Sequence, residues 1–293
     1  MAKMKYIVKA YAKINLALEV GDIGEDGLHQ ISTVMQGIEL CDEIEIEEHS
    51  SDLVVTCDDD NVPDGPDNIV YAAVDVLRKM YNIDKGLDIS IKKKIPSCAG
   101  LGGGSSDAAA VIKALDEIWH LEMTLENKLK VAKRLGSDVP FFFGSGASLV
   151  EGTGEVNTSL KPLPVFDVLI VKPPFGVSTK KAYERIDELR ANSTFEKSRV
   201  LAQAMGEHGT RAYWIENLRS YIHNSFLEVV EAEHSGMSEL ISLLYKEGAF
   251  ACGMSGSGSA VFALFDQNKI KNDIDSKLGK VQVISTKLHE GFI

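Results

Sequence analysis

Residues Ile95-Pro-Ser-Cys-Ala-Gly-Leu-Gly-Gly-Gly-Ser-Ser-Asp-Ala-Ala-Ala110 put four glycines into the five positions 100–104 and follow them with an Ala-rich, helix-forming stretch. That many glycines cost more chain entropy than a mere turn would justify. Lacking side chains, they let backbone N–H groups converge on an anion. The helix that follows, expected from about Ser106 to Trp119, turns its unpaired N-terminal donors and positive dipole end to the same point. Ser105 and Ser106 can add hydroxyl donors or cap the helix. The pattern reads as a phosphate cradle. It is not a P-loop, because no lysine follows the glycines. Nor is it the dinucleotide fingerprint, which, counted from Gly100, would need Gly or Ala where Ser105 stands. The chain has no Asp-Phe-Gly and no kinase-type catalytic loop.

A second run, Gly253-Met-Ser-Gly-Ser-Gly-Ser259, lies between an expected helix at 236–247 and an expected strand at 260–265. Alone it reads as a turn; paired with the first loop it suggests a second wall of one anion site. Lys13 interrupts an otherwise apolar strand, and Asn15 shares its face because strand side chains alternate. Such a pair marks either a solvated surface, the usual place for lysine, or one side of a site. Asp138, in Gly136-Ser-Asp-Val-Pro140 just before Phe141-Phe-Phe143, either caps a short helix with Pro140 in its first turn or serves as a chemical carboxylate. On these residues alone both choices stay open.

The rest of the pattern predicts an α+β fold rather than a parallel βαβ series. Strands are expected at Tyr6–Ala10, Ile14–Val20 and Asp42–Glu47 and around Leu87, Ile89 and Ile91. After a loop at 58–67, a helix over Asn68–Tyr81 would turn Ile69, Ala73, Val76 and Met80 to one side. Thr124 would cap another, carrying Leu125, Leu129 and Ala132 inward and ending at Gly136. Prolines in Leu160-Lys-Pro-Leu-Pro164 suggest a boundary, giving domains 1–160 and 161–293. The second half reads as a buried strand at Val168–Val171, helices near 179–190, 195–206, 217–232 and 236–247, and strands at 260–265 and 281–286.

Forty-three acidic against 31 basic residues leave a net charge of −12, which argues against nucleic acid or an anionic membrane as partner but not against a local phosphate site. Cys41, Cys57, Cys98 and Cys252 show no metal or disulfide spacing and read as reduced thiols. The start, Met1-Ala-Lys-Met-Lys5, is basic, but Lys9 and Lys13 interrupt what would be the apolar region of a signal peptide. The expected location is cytoplasmic.

Lys13 in Ala-Lys-Ile-Asn, the Pro96–Ser106 loop and the Gly253–Ser259 run resemble, in order, the three signature motifs of the GHMP small-molecule kinases. Asp26-Gly-Leu-His-Gln-Ile-Ser-Thr-Val-Met-Gln36 and Gly136–Pro140 narrow the resemblance to the branch whose alcohol substrate is a methylerythritol carrying a cytidine diphosphate group, in non-mevalonate isoprenoid synthesis. The similarity runs from about residue 5 to the last strand. It implies two α+β domains with the active site in the cleft between them, ATP and Mg²⁺, and phosphorylation of the position 2 hydroxyl. It further implies that Lys13 and Asp138 are the catalytic pair. Asp138 would orient the alcohol and accept its proton, and Lys13 would offset charge on the transferring phosphoryl group.

By the same resemblance, ATP would lie on Pro96, Ser97, Cys98, Ala99, Gly100, Leu101, Gly102, Gly103, Gly104, Ser105 and Ser106. Asn68 matches a position near the adenosine, or simply starts its helix. No side chain is assigned to the metal directly; a loop serine and the phosphates would carry Mg²⁺. Substrate contacts would come from Asn15, Leu28, His29, Thr179, Tyr183, Gly256 and Ser257. The implied partner is this small molecule, with the protein a monomer or weak homodimer.

One position departs from the branch. Its usual Asp-Gly-Tyr-His reads Asp26-Gly-Leu28-His29 here, so an aromatic face for cytosine is missing while Tyr183 matches the other. Leucine keeps apolar contact but forfeits stacking of about 1–3 kcal/mol. That departure favours, as the alternative, another GHMP kinase of mevalonate, phosphomevalonate or homoserine type; beside it stand a decarboxylating relative and, last because Lys13 and Asp138 are both present, a non-catalytic nucleotide sensor.

Overall fold

Two long strands, β1 (Lys5–Ile23) and β2 (His29–His49), pair antiparallel and form the spine of the protein. The computed structural model describes residues 5–25, 27–49, 52–189, 195–271 and 273–292. The start of the chain at 1–4, Asp26 of the Asp-Gly-Leu-His motif and the end of the expected 179–190 helix at Arg190 lie outside the described residues. The two expected strands at 6–10 and 14–20 are one continuous strand. No Gly or Pro stands between them to turn the chain. Instead the register shifts between Tyr11 and Lys13 and again between Asn15 and Ala17. Such irregularities re-aim side chains, and these two bracket Lys13 and Asn15.

β3 (Leu53–Cys57), a 3₁₀ turn at Gly65–Asp67, α1 (Ile69–Tyr81) and β4 (Gly86–Lys92) follow. Next come α2 (Gly103–Ile118), α3 (Leu125–Leu135), a second 3₁₀ turn at Val139–Phe143, and the hairpin β5 (Ala147–Gly152) and β6 (Val156–Ser159). The second half contains β7 (Asp167–Lys172), α4 (Thr179–Leu189), α5 (Glu196–Glu207), α6 (Arg211–Tyr221), β8 (His223–Asn224), α7 (Leu227–Glu233) and α8 (Met237–Lys246). β9 (Ala251–Met254), β10 (Val261–Phe265), α9 (Ile274–Leu278) and β11 (Gln282–Lys287) complete it. One sheet runs β3-β4-β2-β1-β8 with β5 and β6 branching from β2, and the other, all antiparallel, runs β11-β7-β10-β9.

Three expectations change with packing. The buried face of α1 is Val70, Ala73, Val74 and Leu77, one step round from the expected stripe, and Met80 is 44% exposed. In α3, Thr124 does cap through Asn127 N and Ala132 is buried as expected, but its buried partner is Val131, and Leu125 lies 57% exposed. The single helix expected at 217–232 is two, α6 and α7. The chain between them pairs His223 and Asn224 parallel to Ala17 and Leu18, and Asn224 Oδ1 accepts from Phe226 N, closing a local turn that competes with helix.

Apolar burial falls into three clusters. The first sheet covers α1–α3 through Ile44, Ile46, Ile89, Val74 and Leu115. Ala12, Ile14 and Leu16 of β1 meet Val168, Ile170 and Phe262 across the middle, so the two halves share a core. A third cluster packs the other face of the second sheet against α4, α7 and α8. β1 is thus covered on both sides, and residues 12–21 are all buried.

Candidate active site

Lys13 is buried in the middle of β1, only 3% exposed, yet charged. Burial of an ammonium is costly unless it is paired and hydrogen-bonded. Its Nζ donates to Asn15 Oδ1 at 2.7 Å and lies 3.3 Å from Asp138 Oδ2. Asp138 stands at the head of the Val139–Phe143 turn, but its side chain makes no capping hydrogen bond there. Its carboxylate is therefore turned to Lys13 rather than to the turn, and it is about one-third exposed, 32%.

Asn15 joins this pair to the second glycine run. Its Oδ1 also accepts from Gly256 N at 3.0 Å, its backbone N donates to Ser255 Oγ at 3.1 Å, and its Nδ2 donates to Thr33 Oγ1 at 2.8 Å. Ser255 Oγ in turn donates to Gly100 O at 2.9 Å. The two glycine loops therefore touch. Gly100 holds φ +76°, and a Cβ there would stand 2.0 Å from Ser255 O. Only glycine allows that approach. Gly102, at φ +72°, lies against the Lys13 stem, where a Cβ would meet Cγ at 3.0 Å and Cε at 3.1 Å.

α2 starts at Gly103, three residues before the expected Ser106, so Gly103 and Gly104 are its first turn. Gly102 is the N-cap and supplies no capping side chain. Neither serine caps: Ser106 Oγ donates to Tyr11 O at 2.6 Å and ties the helix to β1. Ser105, with Lys13, Asn15, Leu28, His29, Asp138, Thr179, Tyr183, Gly256 and Ser257, lines a cleft of about 850 Å³. A second cavity of about 340 Å³ is lined by Asn68, Pro96, Ser97, Cys98, Ala99, Leu101, Gly103 and Gly104. Gly100 and Gly102 line both. Asn68 caps α1, its Oδ1 accepting from Val70 N at 2.9 Å, and still borders this second cavity.

On the opposite wall, Thr179 and Ser257 hydroxyls meet at 2.8 Å. Tyr183 stacks on His29 with ring centroids 5.0 Å apart, and burial, reinforced by the Asp138 charge, pushes its phenol up to about 12. Leu28 is 57% exposed at the cleft. All four cysteines are free, and Cys98 is exposed. No three His, Cys, Asp or Glu side chains group as a metal cage among the described residues. Mg²⁺ is commonly held by one or two carboxylates together with phosphates, and the part-exposed Asp138 and Ser105 suit that mode.

Several contributors were not singled out in the sequence. Thr33, Ser255 and Asn224 carry the network: Thr33 Oγ1 donates to Ala17 O, and Asn224 Nδ2 lies 2.7 Å from Met254 O and 2.9 Å from Gly256 O. Ser255 lay within the noted run and Thr33 within the Asp26–Gln36 stretch; Asn224 had no local signal.

A buried trio also pins both ends of the first loop. Lys93 Nζ lies 2.5 Å from Asp42 Oδ2 and 2.8 Å from Asp107 Oδ2, and Asp42 Oδ1 accepts from Lys94 N and Ile95 N. Burial would lower Lys93, but the two carboxylates hold it above its ordinary range. Burial raises Asp107 to about 7 against the pull of Lys93, and Asp42 adds to the rise. The folded protein thus holds a proton that the unfolded chain, with Asp near 3.8, has released. This contribution to stability is complete below about pH 4 and disappears as pH rises through about 7. Asp107→Asn is expected to flatten that dependence: comparing denaturant melts at about pH 5 and about pH 8, the wild type should lose more stability than the variant. Equal losses would show that Asp107 is ionised throughout.

With this geometry in view, residues 68–148 match the GHMP kinases N terminal domain and residues 202–280 the GHMP kinases C terminal domain. A relative from Thermoanaerobacter pseudethanolicus, named 4-diphosphocytidyl-2-C-methyl-D-erythritol kinase, is 40% identical over 266 residues, 91% of this chain and 89% of its own. One of the same name from Clostridium beijerinckii is 37% identical over 260 residues, 88% of this chain and 90% of its own. A crystal structure of 4-(cytidine 5′-diphospho)-2C-methyl-D-erythritol kinase superposes with a TM-score of 0.78 at 28% identity, covering 98% of this chain and 100% of that one. Homoserine kinase from Cytophaga hutchinsonii, with a TM-score of 0.71 at 18% identity and covering 99% of this chain and 97% of that one, shares the fold.

Proposed function

Because this chain belongs to the GHMP kinase family, we propose that it transfers the γ-phosphoryl group of ATP to the position 2 hydroxyl of 4-diphosphocytidyl-2-C-methyl-D-erythritol, giving the 2-phosphate and ADP in non-mevalonate isoprenoid precursor synthesis. The observation that carries this reading is the Lys13–Asp138 pair, held in the cleft where the two glycine loops meet. Phosphoryl transfer asks a protein chiefly to align the nucleophile and neutralise charge. Asp138 accepts a hydrogen bond from the alcohol, orients it, and takes its proton as the bond to phosphorus forms. Lys13, desolvated and held by Asn15, offsets charge on the phosphoryl group in transfer. The adjoining smaller cavity, with Asn68 and residues 96–106, receives the nucleotide, and the uncapped start of α2 faces its phosphates. Mg²⁺, bound with the nucleotide, would supply charge neutralisation at the phosphates, and Ser105 and Asp138, which line the adjoining cleft, are the oxygen donors that would hold it.

The substrate end is built from Leu28, His29, Thr179, Tyr183, Gly256 and Ser257, with Asn15 behind them. Division at residue 160 assigns the cradle and catalytic pair to an N-terminal domain and Thr179, Tyr183 and the second loop to a C-terminal one. We further read the protein as cytoplasmic, a monomer or weak homodimer, without nucleic-acid or membrane partners; its net charge of −12 supports the last of these. No described helix is long and apolar enough to cross a membrane.

The test is ADP release with Mg·ATP and a panel of alcohols: the cytidine compound, its cytosine-free analogue, mevalonate and homoserine. Turnover of the cytidine compound alone supports the assignment. Activity on another alcohol only would make Leu28 the mark of a changed substrate, and CO₂ release would reveal the decarboxylating reaction instead.

Cys98 offers a separate check on the nucleotide cavity, since its exposed thiol borders that cavity. Stoichiometric alkylation should abolish ATP binding, and prior saturation with ATP should protect the thiol. Full activity after complete modification would move ATP elsewhere.

A further inference from the structure

Asn224 is buried on the two-residue strand β8, and the chain around it is fastened to β1. His223 and Asn224 pair with Ala17 and Leu18, Ser225 N donates to Leu18 O at 2.9 Å, and Val20 N donates to Ser225 Oγ at 3.2 Å. The Asn224 amide can point only one way. Its Oδ1 accepts from Phe226 N at 2.9 Å, and a backbone N–H can only donate. Its Nδ2 faces Met254 O at 2.7 Å and Gly256 O at 2.9 Å, and carbonyls can only accept. One side chain anchored beside β1 thus grips the second glycine loop by the carbonyls on either side of Ser255.

That grip reaches Lys13. Gly256 is clamped between two asparagines: Asn224 holds its carbonyl, and its N–H donates to Asn15 Oδ1 at 3.0 Å. The same Asn15 oxygen takes the Lys13 ammonium at 2.7 Å. Gly256 also lies against the phosphate loop, where a Cβ would stand 2.9 Å from Gly100 Cα. We propose that Asn224 is a positioning residue for phosphoryl transfer: by fixing Gly256 it fixes the Asn15 amide that aims the Lys13 ammonium. This rests on the phosphoryl-transfer reading of Lys13 and Asp138 given above. A displacement of about 1 Å, caused at a distance from the chemistry, can cost about 100-fold in rate. A residue that merely closed the turn at 223–226 would need only its Oδ1, and its two donor hydrogens would have no task.

The test is steady-state kinetics with Mg·ATP and the cytidine compound on Asn224→Asp, Asn224→Ala, Asn15→Ala and the last two combined. Asn224→Asp keeps an oxygen for Phe226 N but has no hydrogen for Met254 O or Gly256 O. It should lower kcat by at least about tenfold, while KM for the alcohol changes far less. Asn15→Ala removes the oxygen through which the effect travels, so adding Asn224→Ala to it should lower kcat little further. Single losses that multiply would overturn the role of Asn224, and so would wild-type kcat in Asn224→Asp. Thermal melts separate folding from rate: if neither single variant at position 224 folds, Asn224 holds the fold together and its positioning role is overturned. Wild-type turnover of mevalonate or homoserine instead would end the cytidine reading alone, because the same kcat comparison runs on that alcohol. No turnover of any alcohol would end both.

Discussion

Asp138→Asn should lower kcat by at least ~100-fold, the lower end of what loss of a general base costs, while ATP binding stays near normal. The amide keeps the shape and can still hydrogen-bond the alcohol, but it cannot take its proton. Folding should be little affected, because the carboxylate makes no capping bond to the Val139–Phe143 turn and is one-third exposed, at 32%. Its one close ionic partner among the described residues is Lys13. Single-turnover kinetics alongside calorimetric ATP titration would separate the two effects. Turnover within a few-fold of wild type would reduce Asp138 to a partner that merely neutralises Lys13.

Lys13→Met should produce a comparable loss of turnover in a folded protein. The unbranched side chain follows the same path past Gly102, and removal of a buried ammonium removes its desolvation cost along with its pairing. Asn15 Oδ1 keeps the hydrogen bond from Gly256 N, so the tie between the loops survives. Asp138 is left part-hydrated rather than stranded. Circular dichroism and thermal melts should therefore resemble those of the wild type. A variant that unfolds would show that Lys13 holds the cleft together instead of acting on the phosphoryl group. Combining both substitutions should cost much less than the product of the single effects, because residues acting as one unit do not contribute independently.

The signals that could be read along the chain were those whose physical cause is local. Gly100 and Gly102 stand out because both hold a positive φ, which strains other residues, and because Gly100 meets the Ser255 backbone and Gly102 the Lys13 stem where a Cβ would crowd. Lys13 and Asn15 were joined by strand alternation, and Thr124 announced its helix by its own hydroxyl. Where burial decides, local reading drifted: α1 turned its apolar stripe by one position to meet the first sheet, and Leu125 was left in solvent because α3 packs through Val131 and Ala132. The start of α2 also came earlier than expected, since nothing in a run of glycines says which of them is already helical.

By itself the sequence determined the loop chemistry, the α+β class and the order of the motifs, since each follows from neighbours a few residues apart. Only the tertiary structure decided what those motifs touch. Asn15 N meets Ser255 Oγ across 240 residues, Asp42 meets Lys93 across 51, and His29 meets Asp187 from another wall. It also decided that Lys13 is a buried ion rather than a wetted one, because β1 is covered on both faces only after the two halves close over it. Charge, burial and hydrogen-bond supply are properties of a place in space, and no periodicity along the chain encodes the place.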